Sequence, residues 1–247
     1  MYATGYGGQG GLGQNNRSYY SSPAQIPGTT WAVVAGFYNG GSATKTDGTF
    51  WAWGYNYSGE LGDNSRVWKS SPVQIPGTNW AKLSRGGGNT TSFGIKTDGT
   101  LWAWGYNDSG ELGVNDRAHR SSPTQIPGTS WSHVRHGVAA NYGFRTDGTL
   151  WVWGDNGVGN LGINAPETSD RSSPTQIPGT NWSDLVSCTN NALAIKTDGT
   201  LWSWGYQGSR GALGQNNETN YSSPTQIPGT WLSISASGQF TYHALKA

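Results

Sequence analysis

One sentence-like string recurs along this chain with a period of about fifty residues. TDGT appears with its aspartate at Asp47, Asp98, Asp147 and Asp198, and each is followed by WxWG at 51–54, 102–105, 151–154 and 202–205. SSPxQIPG appears with its first proline at Pro23, Pro72, Pro123, Pro174 and Pro224. A repeat of this length means that one small unit cannot bury its own apolar face and must stack on its neighbours, as in solenoids and propellers.

Each unit reads as four short strands. Strand A is a Trp-x-x-apolar run (Trp80–Leu83, Trp131–Val134), and strand B is the apolar run before TDG (Phe93–Lys96, Leu193–Lys196). Strand C is TLWxWG and strand D is PxQI. Asp-Gly between B and C predicts a two-residue type I′ hairpin, with positive φ at both central residues. Pro-Gly-Thr marks the D–A turn, and no segment has helical periodicity. Side chains alternate across a strand, so Trp102 and Trp104 share a bulky face while Leu101, Ala103 and Gly105 share a smaller one. Bulky faces against small faces suit stacked propeller blades. Only 34% of residues are hydrophobic and 39 are glycine, but 14 tryptophans supply the burial that folding needs.

The expectation is therefore an all-β propeller forming a single domain over 1–247. Its units are 31–79, 80–130, 131–181, 182–230, and 231–247 joined with 1–30. The C-terminal TYHALKA ends where TDG would begin, and YATGYGGQGGLG enters at strand C. A fifth four-stranded blade shared between the two ends would close the ring.

The core G-x-N-x-x-G-x-L-G stands at Gly105, Asn107, Gly110, Leu112 and Gly113, and at Gly54, Asn56, Gly59, Leu61 and Gly62. With the preceding DGTLWAWG and the later SP, this pattern resembles the regulator of chromosome condensation repeat family over essentially the whole chain. The resemblance implies a β-propeller. Family members commonly have seven blades, so five is a departure. Fold does not carry function. The chromatin member of the family is a nucleotide exchange factor that contacts nucleosomes, and a bacterial relative is a pure binder.

Function classes can be narrowed from the residues. Net charge is +1 and no basic cluster occurs, which argues against nucleic acid as a partner and against the chromatin role. No apolar run is long enough to insert into a membrane, and the N-terminal MYATGYGGQGG has no signal-peptide pattern. A virion or cytoplasmic location is most compatible with this. Cys188 is the single cysteine and reads as a small buried residue. Asp108 and Glu111 invite a calcium reading, but other repeats place Tyr57, Gly157, Gly208 and Gly8 at the first position and Glu60, Asn160, Ala212 and Gly11 at the second, so most copies could not bind. Gly5, Gly7 and Gly10 spell GxGxxG with no helix to follow. His133 and His136 lack matching ligands at metal spacing, and there is no nucleophile elbow. The expectation is a non-enzymatic chain with no cofactor and no metal.

Comparing the repeats with one another locates the variation. The TDG and PGT turns hardly change, whereas the A–B and C–D loops differ in every copy. In a meander those two loop sets share one strand end. The variable end carries Tyr19, Tyr20, Phe37, Tyr38, Arg66, Trp68, Arg85, Arg117, Arg135, His136, Tyr221 and Phe240, residue types that anchor interfaces. These are the candidate partner-binding residues. The reading is a protein-interaction or assembly module of a phage or virus particle or a bacterial surface. The alternative is a carbohydrate-binding propeller with equivalent sites built on residues such as Trp102 and Asn107. An exchange-factor-like regulator is the third reading.

Overall fold

The computed structural model describes residues 1–37, 39–85, 91–138, 140–166, 168–208, 211–237 and 241–247, and the side chains of Arg85 and Ser237 lie outside that description. The described residues hold twenty β-strands. Four antiparallel four-stranded meanders follow one another. Repeat 1 is β3 (Trp31–Phe37), β4 (Gly40–Lys45), β5 (Phe50–Gly54) and β6 (Lys69–Ile75). Repeat 2 is β7 (Trp80–Arg85), β8 (Thr91–Lys96), β9 (Leu101–Gly105) and β10 (Arg120–Gln125). Repeat 3 is β11 (Trp131–His136), β12 (Ala140–Arg145), β13 (Leu150–Gly154) and β14 (Arg171–Gln176). Repeat 4 is β15 (Trp182–Ser187), β16 (Asn191–Lys196), β17 (Leu201–Gly205) and β18 (Tyr221–Ile227). The divided repeat occurs as two hairpins, β1 (Tyr2–Gly5) with β2 (Tyr20–Gln25) and β19 (Trp231–Ser237) with β20 (Thr241–Lys246), each a two-stranded sheet.

The chain clusters into two compact units. Residues 1–108 with 118–126 hold the N-terminal hairpin and repeats 1 and 2, and residues 109–117 with 127–247 hold repeats 3 and 4 and the C-terminal hairpin.

The B–C connection differs from the expected type I′ turn. Only its glycine has positive φ, at 77° for Gly48 and Gly99, 78° for Gly148 and 80° for Gly199, while the aspartates do not. Gly48 N–H donates to Lys45 O at 3.0 Å and Lys45 N–H to Thr49 O at 2.9 Å. This is a three-residue loop, a turn closed by a left-handed glycine. The aspartate has another task. Asp47 Oδ1 accepts from both the Thr49 amide (2.9 Å) and hydroxyl (2.6 Å), and Thr49 Oγ1 in turn accepts from Trp51 Nε1 (2.9 Å). The same relay recurs at Asp98, Thr100 and Trp102, at Asp147, Thr149 and Trp151, and at Asp198, Thr200 and Trp202. TDGTxW is thus one hydrogen-bonded device.

The second tryptophan of WxWG joins consecutive repeats. Trp53, Trp104, Trp153 and Trp204 are at most 2% exposed. Each lies edge-on to the strand A tryptophan of its own repeat, as Trp104 does to Trp80 at 5.9 Å. Each donates Nε1–H to a backbone carbonyl in the loop before it: Trp53 to Gly11, Trp104 to Glu60, Trp153 to Glu111 and Trp204 to Asn160, over 2.8–3.2 Å. The small face of the previous repeat meets this indole, so Phe50, Ala52 and Leu61 cluster with Trp80 and Trp104. Fully burying a tryptophan removes ~150–250 Å² from water, worth roughly 4–6 kcal/mol, whereas one hydrogen bond nets about 1 kcal/mol. Burial supplies the stability and the N–H sets the position.

The glycine that ends G-x-L-G lies against the same indole at Gly13, Gly62, Gly113 and Gly162, whereas Gly214 meets only Ile227. A Cβ on Gly62 would come within 2.7 Å of Trp104 Nε1, and one on Gly113 within 3.0 Å of Trp153 Cδ1. Residues 109–117 belong with the second unit for this reason, since Glu111 and Gly113 dock on Trp153 and Asn115 on Ser172, all in repeat 3. The outermost strand of each repeat carries the SSP proline, which lacks the N–H that would recruit another strand. Cys188 is buried at 3% exposure, and burial pushes its thiol pKa up.

Two measurements test this construction. Gly62→Ala combines a φ of +80° with a collision against Trp104, whereas Gly211→Ala has a φ of +67° and open space. In urea unfolding the first is expected to cost about 3 kcal/mol or more and the second about 1–2 kcal/mol. Equal losses would mean that the indole contact does not govern the position. The four turn aspartates are also held below their ordinary pKa of 3.8, first by the threonine hydroxyl and then by its amide. The unfolded chain therefore takes up these protons more readily than the folded one. Their stabilisation is complete above pH 3.8 and drains away as pH falls below it. Asp98→Asn, which keeps the acceptor without the charge, should flatten the loss of stability between about pH 5 and about pH 2.5.

Candidate functional site

The candidate residues sit at the strand ends opposite the TDG turns, and the strands run further toward that end than the sequence suggests. Phe37, Arg85 and His136, loop residues by the repeat pattern, are the last residues of β3, β7 and β11, Arg135 is next to the end of β11, and Tyr20 and Tyr221 open β2 and β18. Tyr38 and Phe240 fall outside the described residues, as does the Arg85 side chain.

The C–D loops are built around an interior amide. Asn56, Asn107, Asn156 and Gln207 are at most 1% exposed. Asn56 Oδ1 accepts from Leu61 N (2.9 Å) and its Nδ2 donates to the Ser65 and Val67 carbonyls (3.1 and 3.2 Å). Asn156 does the same with Leu161 N and Pro166 O. The amide draws the two ends of a long loop together and leaves the flanking residues outside.

Those flanking residues form aromatic pairs in the first unit. The residue after the strand C glycine pairs with a residue at the far end of the loop: Tyr6 stacks on Tyr19 at 5.2 Å and Tyr106 on His119 at 4.9 Å, and Tyr55 packs on Trp68 at 5.5 Å with the rings tilted by 37°. Tyr57 adds to the second pair at 6.5 Å from Tyr55, and Arg17 places its guanidinium 5.4 Å from the Trp68 ring centre. That contact joins one C–D loop to the next. Tyr6, Tyr19 and Tyr57 are 57%, 70% and 71% exposed. Burial is the first cause of the raised pKa of the Tyr55 phenol, with Glu60 second. Arg66 is exposed. The Tyr20 hydroxyl accepts from Asn16 Nδ2 at 2.9 Å. Phe37 instead packs on the cluster containing Phe50, Trp80 and Trp104.

The second unit presents ion pairs at its loops. Arg117 reaches Asp170 at 3.3 Å, and Arg135 forks onto Asp184 at 2.8 and 3.2 Å. Arg135, His136, Asp184, Ser187 and Ser235 line a cleft of about 380 Å³ across β11, β15 and β19. His136 Nδ1 lies 3.1 Å from Asn141 Oδ1. The Tyr221 hydroxyl accepts from Asn217 Nδ2 at 2.9 Å.

With this geometry in place, the comparisons decide the family. The model of the regulator of chromosome condensation (RCC1) repeat matches residues 98–142, 147–192 and 198–243. The chain belongs to the RCC1 repeat family. Its fold is that of the RCC1 β-propellers. Prp20p of Saccharomyces cerevisiae, which binds Gsp1p and histones, is 19% identical with a TM-score of 0.78 over 96% of this chain and 61% of its own length. Human WBSCR16 is 21% identical with a TM-score of 0.74 over 100% of this chain and 67% of its own. Yeast RCC1 as bound by Kap60 gives 20%, 0.77, 96% and 59%. This RCC1-repeat chain thus spans about three fifths of the yeast relative's length.

Tyr6, Arg17, Tyr55, Tyr57, Tyr106 and His119 are absent from the expected set. The tyrosine after WxWG recurs as Tyr55, Tyr106 and Tyr206, so a comparison of the repeats does not single it out as variable. The signal that exposes it is the constant interval to its partner, 6 to 19, 55 to 68 and 106 to 119. Separating the two kinds of residue is straightforward in a thermal melt. Trp68→Ala should change stability by no more than about 1 kcal/mol, whereas Asn56→Ala leaves the Leu61 amide and two loop carbonyls unpaired and should cost about 2–3 kcal/mol.

Proposed function

We propose that this RCC1-repeat chain is a non-enzymatic protein-binding module that uses the loop end of its repeats. One observation carries the reading. The paired positions Tyr6/Tyr19, Tyr55/Trp68 and Tyr106/His119 are occupied in repeats 3 and 4 by Asp155 and Asp170 and by Tyr206 and Asn220. There Asp170 and Asn220 accept the Asn156 and Gln207 amides, at 3.0 and 2.9 Å, as His119 accepts that of Asn107 at 3.0 Å. The repeat needs a hydrogen-bond acceptor at most, so the rings at these exposed and half-buried positions are surplus to folding. Exposed Tyr, Trp and Arg are the residues that most often dominate binding energy.

The contact set on this reading is Tyr19, Tyr20, Arg66, Trp68, Arg117, Arg135, His136 and Tyr221, with Phe37, Tyr38, Arg85 and Phe240 at neighbouring positions. A role in a larger assembly, as part of a phage or virus particle or a bacterial surface, is supported by low charge and by the abundance of Gly, Asn, Ser and Thr. The division into five units, with 231–247 and 1–30 supplying strands A–B and C–D of one repeat, is supported by the strand phase of β19–β20 and β1–β2. A carbohydrate site repeated in every blade draws less support, because Asn107 is fully buried and donates to Ala118 O at 3.1 Å.

Site-specific photocrosslinking in the native source tests the proposal. A crosslinker at position 19, 68 or 117 should capture a defined protein, and one at turn position 48, 99 or 148 should not. Arg17→Ala with Trp68→Ala should remove the crosslink from position 19 while leaving the melting temperature in place. Equal capture from loops and turns would defeat the reading.

A further inference from the structure

Lys45, the residue before the first TDG turn, is an unusually constrained cation. Its Nζ lies 4.2 Å from the ring centre of Trp51 and 5.0 Å from that of Trp31. Two indoles hold an ammonium that would otherwise sweep a wide volume. The ammonium makes no ion pair or hydrogen bond among the described residues. Asp47 is close enough to feel its charge, but that carboxylate is engaged by Thr49.

A cleft of about 390 Å³ opens beside this cation, at the lower end of the ~300–1,000 Å³ typical of small-ligand sites. Trp31, Trp51, Pro27 and Pro72 make its apolar walls. Its polar lining is Lys45, Asn15 and Ser71. Ser71 Oγ donates to Asn15 Oδ1 at 2.9 Å, which leaves the Asn15 NH₂ group as a donor without a partner among the described residues. No carboxylate lines the cleft. Two fixed donors, one of them charged, between indole and proline walls call for an anionic oxygen on a body with an apolar face.

The lining types recur in the other repeats, as with Lys96 against Trp102 and Trp80, at 4.2 and 5.1 Å. In repeats 2–4 the strand A tryptophans are closed over: Trp80, Trp131 and Trp182 are 4%, 2% and 4% exposed, while Trp31, and Trp231 of the divided repeat, stay partly exposed. Trp31 Nε1 also donates to Gly28 O at 3.2 Å, a bond its counterparts do not make. Among the four complete repeats, the partly exposed strand A indole belongs to repeat 1.

We propose that the Lys45 cleft is a single binding site for a sugar acid, a pyranose ring bearing a carboxylate. The carboxylate meets Lys45 Nζ and the Asn15 amide, and the ring lies against the indole and proline walls. Asn15 belongs to the loop that carries Arg17 and Tyr19, but none of the paired rings lines the cleft, so each proposal survives failure of the other. Glucuronic acid is the probe, titrated against the full chain by tryptophan fluorescence and saturation-transfer NMR. Saturable binding of one equivalent is expected. Lys45→Gln should weaken it about tenfold through loss of a charge-assisted contact, and Lys96→Gln should leave it unchanged. Asn15→Asp keeps the Lys45 cluster, tolerates the φ of +59° at this position, and should abolish binding by placing a carboxylate in the cleft. The proposal is overturned if glucose binds as tightly, if acetate or benzoate competes as well as glucuronate, if Lys96→Gln weakens binding as much as Lys45→Gln, or if no binding occurs at millimolar probe.

Discussion

The N–H of a buried indole, aimed at a carbonyl in the preceding repeat, is the contact on which the remaining structure depends. Trp53, Trp104, Trp153 and Trp204 each bury a large surface against the small face of the neighbour and fix its position with one directional bond. A chain with few aliphatic residues has few other ways to fill its interior. The rest of the recurring text serves this joint. Glycine ends G-x-L-G because only a residue without Cβ lets the backbone lie on the indole. Asp and Thr hold the turn that feeds strand C, and strand A sets its own tryptophan edge-on to the joint.

The acceptor in the joint is backbone, and this explains a pattern that side chains alone obscure. The accepting residue is glycine, glutamate, glutamate and asparagine in successive repeats. Its side chain is free to vary because every residue brings the same carbonyl. Glu60 and Glu111 use their carboxylates locally, accepting the amides of Ser58 and Ser109 at 2.8 Å. They are turn residues and not ligands in waiting. Constraint on folding is therefore concentrated in the indole, the glycine and the interior amide of the loop, and the outer loop residues are left for recognition.

Much of the fold was legible in the sequence, because period, strand alternation and turn residues all report local geometry. The bulky and small faces of strand C were read from Trp102, Trp104, Leu101 and Ala103, and the packed clusters agree. The turn type was misread because Asp-Gly was treated as two central residues, when Thr46 also belongs to the loop and Asp47 serves as an acceptor. Strand ends were drawn too short, since Arg135 and His136 extend a strand whose apolar pattern has already stopped. Of the candidate site, the exposed Tyr19 and the half-buried Trp68 were legible as departures from the repeat. Their partners Tyr6 and Tyr55 were hidden by being part of it.

By itself the sequence determined the repeat, its four strands, its turns and the face that each tryptophan occupies, because these follow from neighbours a few residues apart along the chain. Tertiary structure alone decided which carbonyl each indole meets, which loop residues pair across the width of a loop, and why Trp31 beside Lys45 stays partly open while Trp80 beside Lys96 is closed over. Those outcomes depend on the distance between segments that lie far apart in sequence. Identical residues reach different ends when the packing around them differs, as Trp31 and Trp80 do.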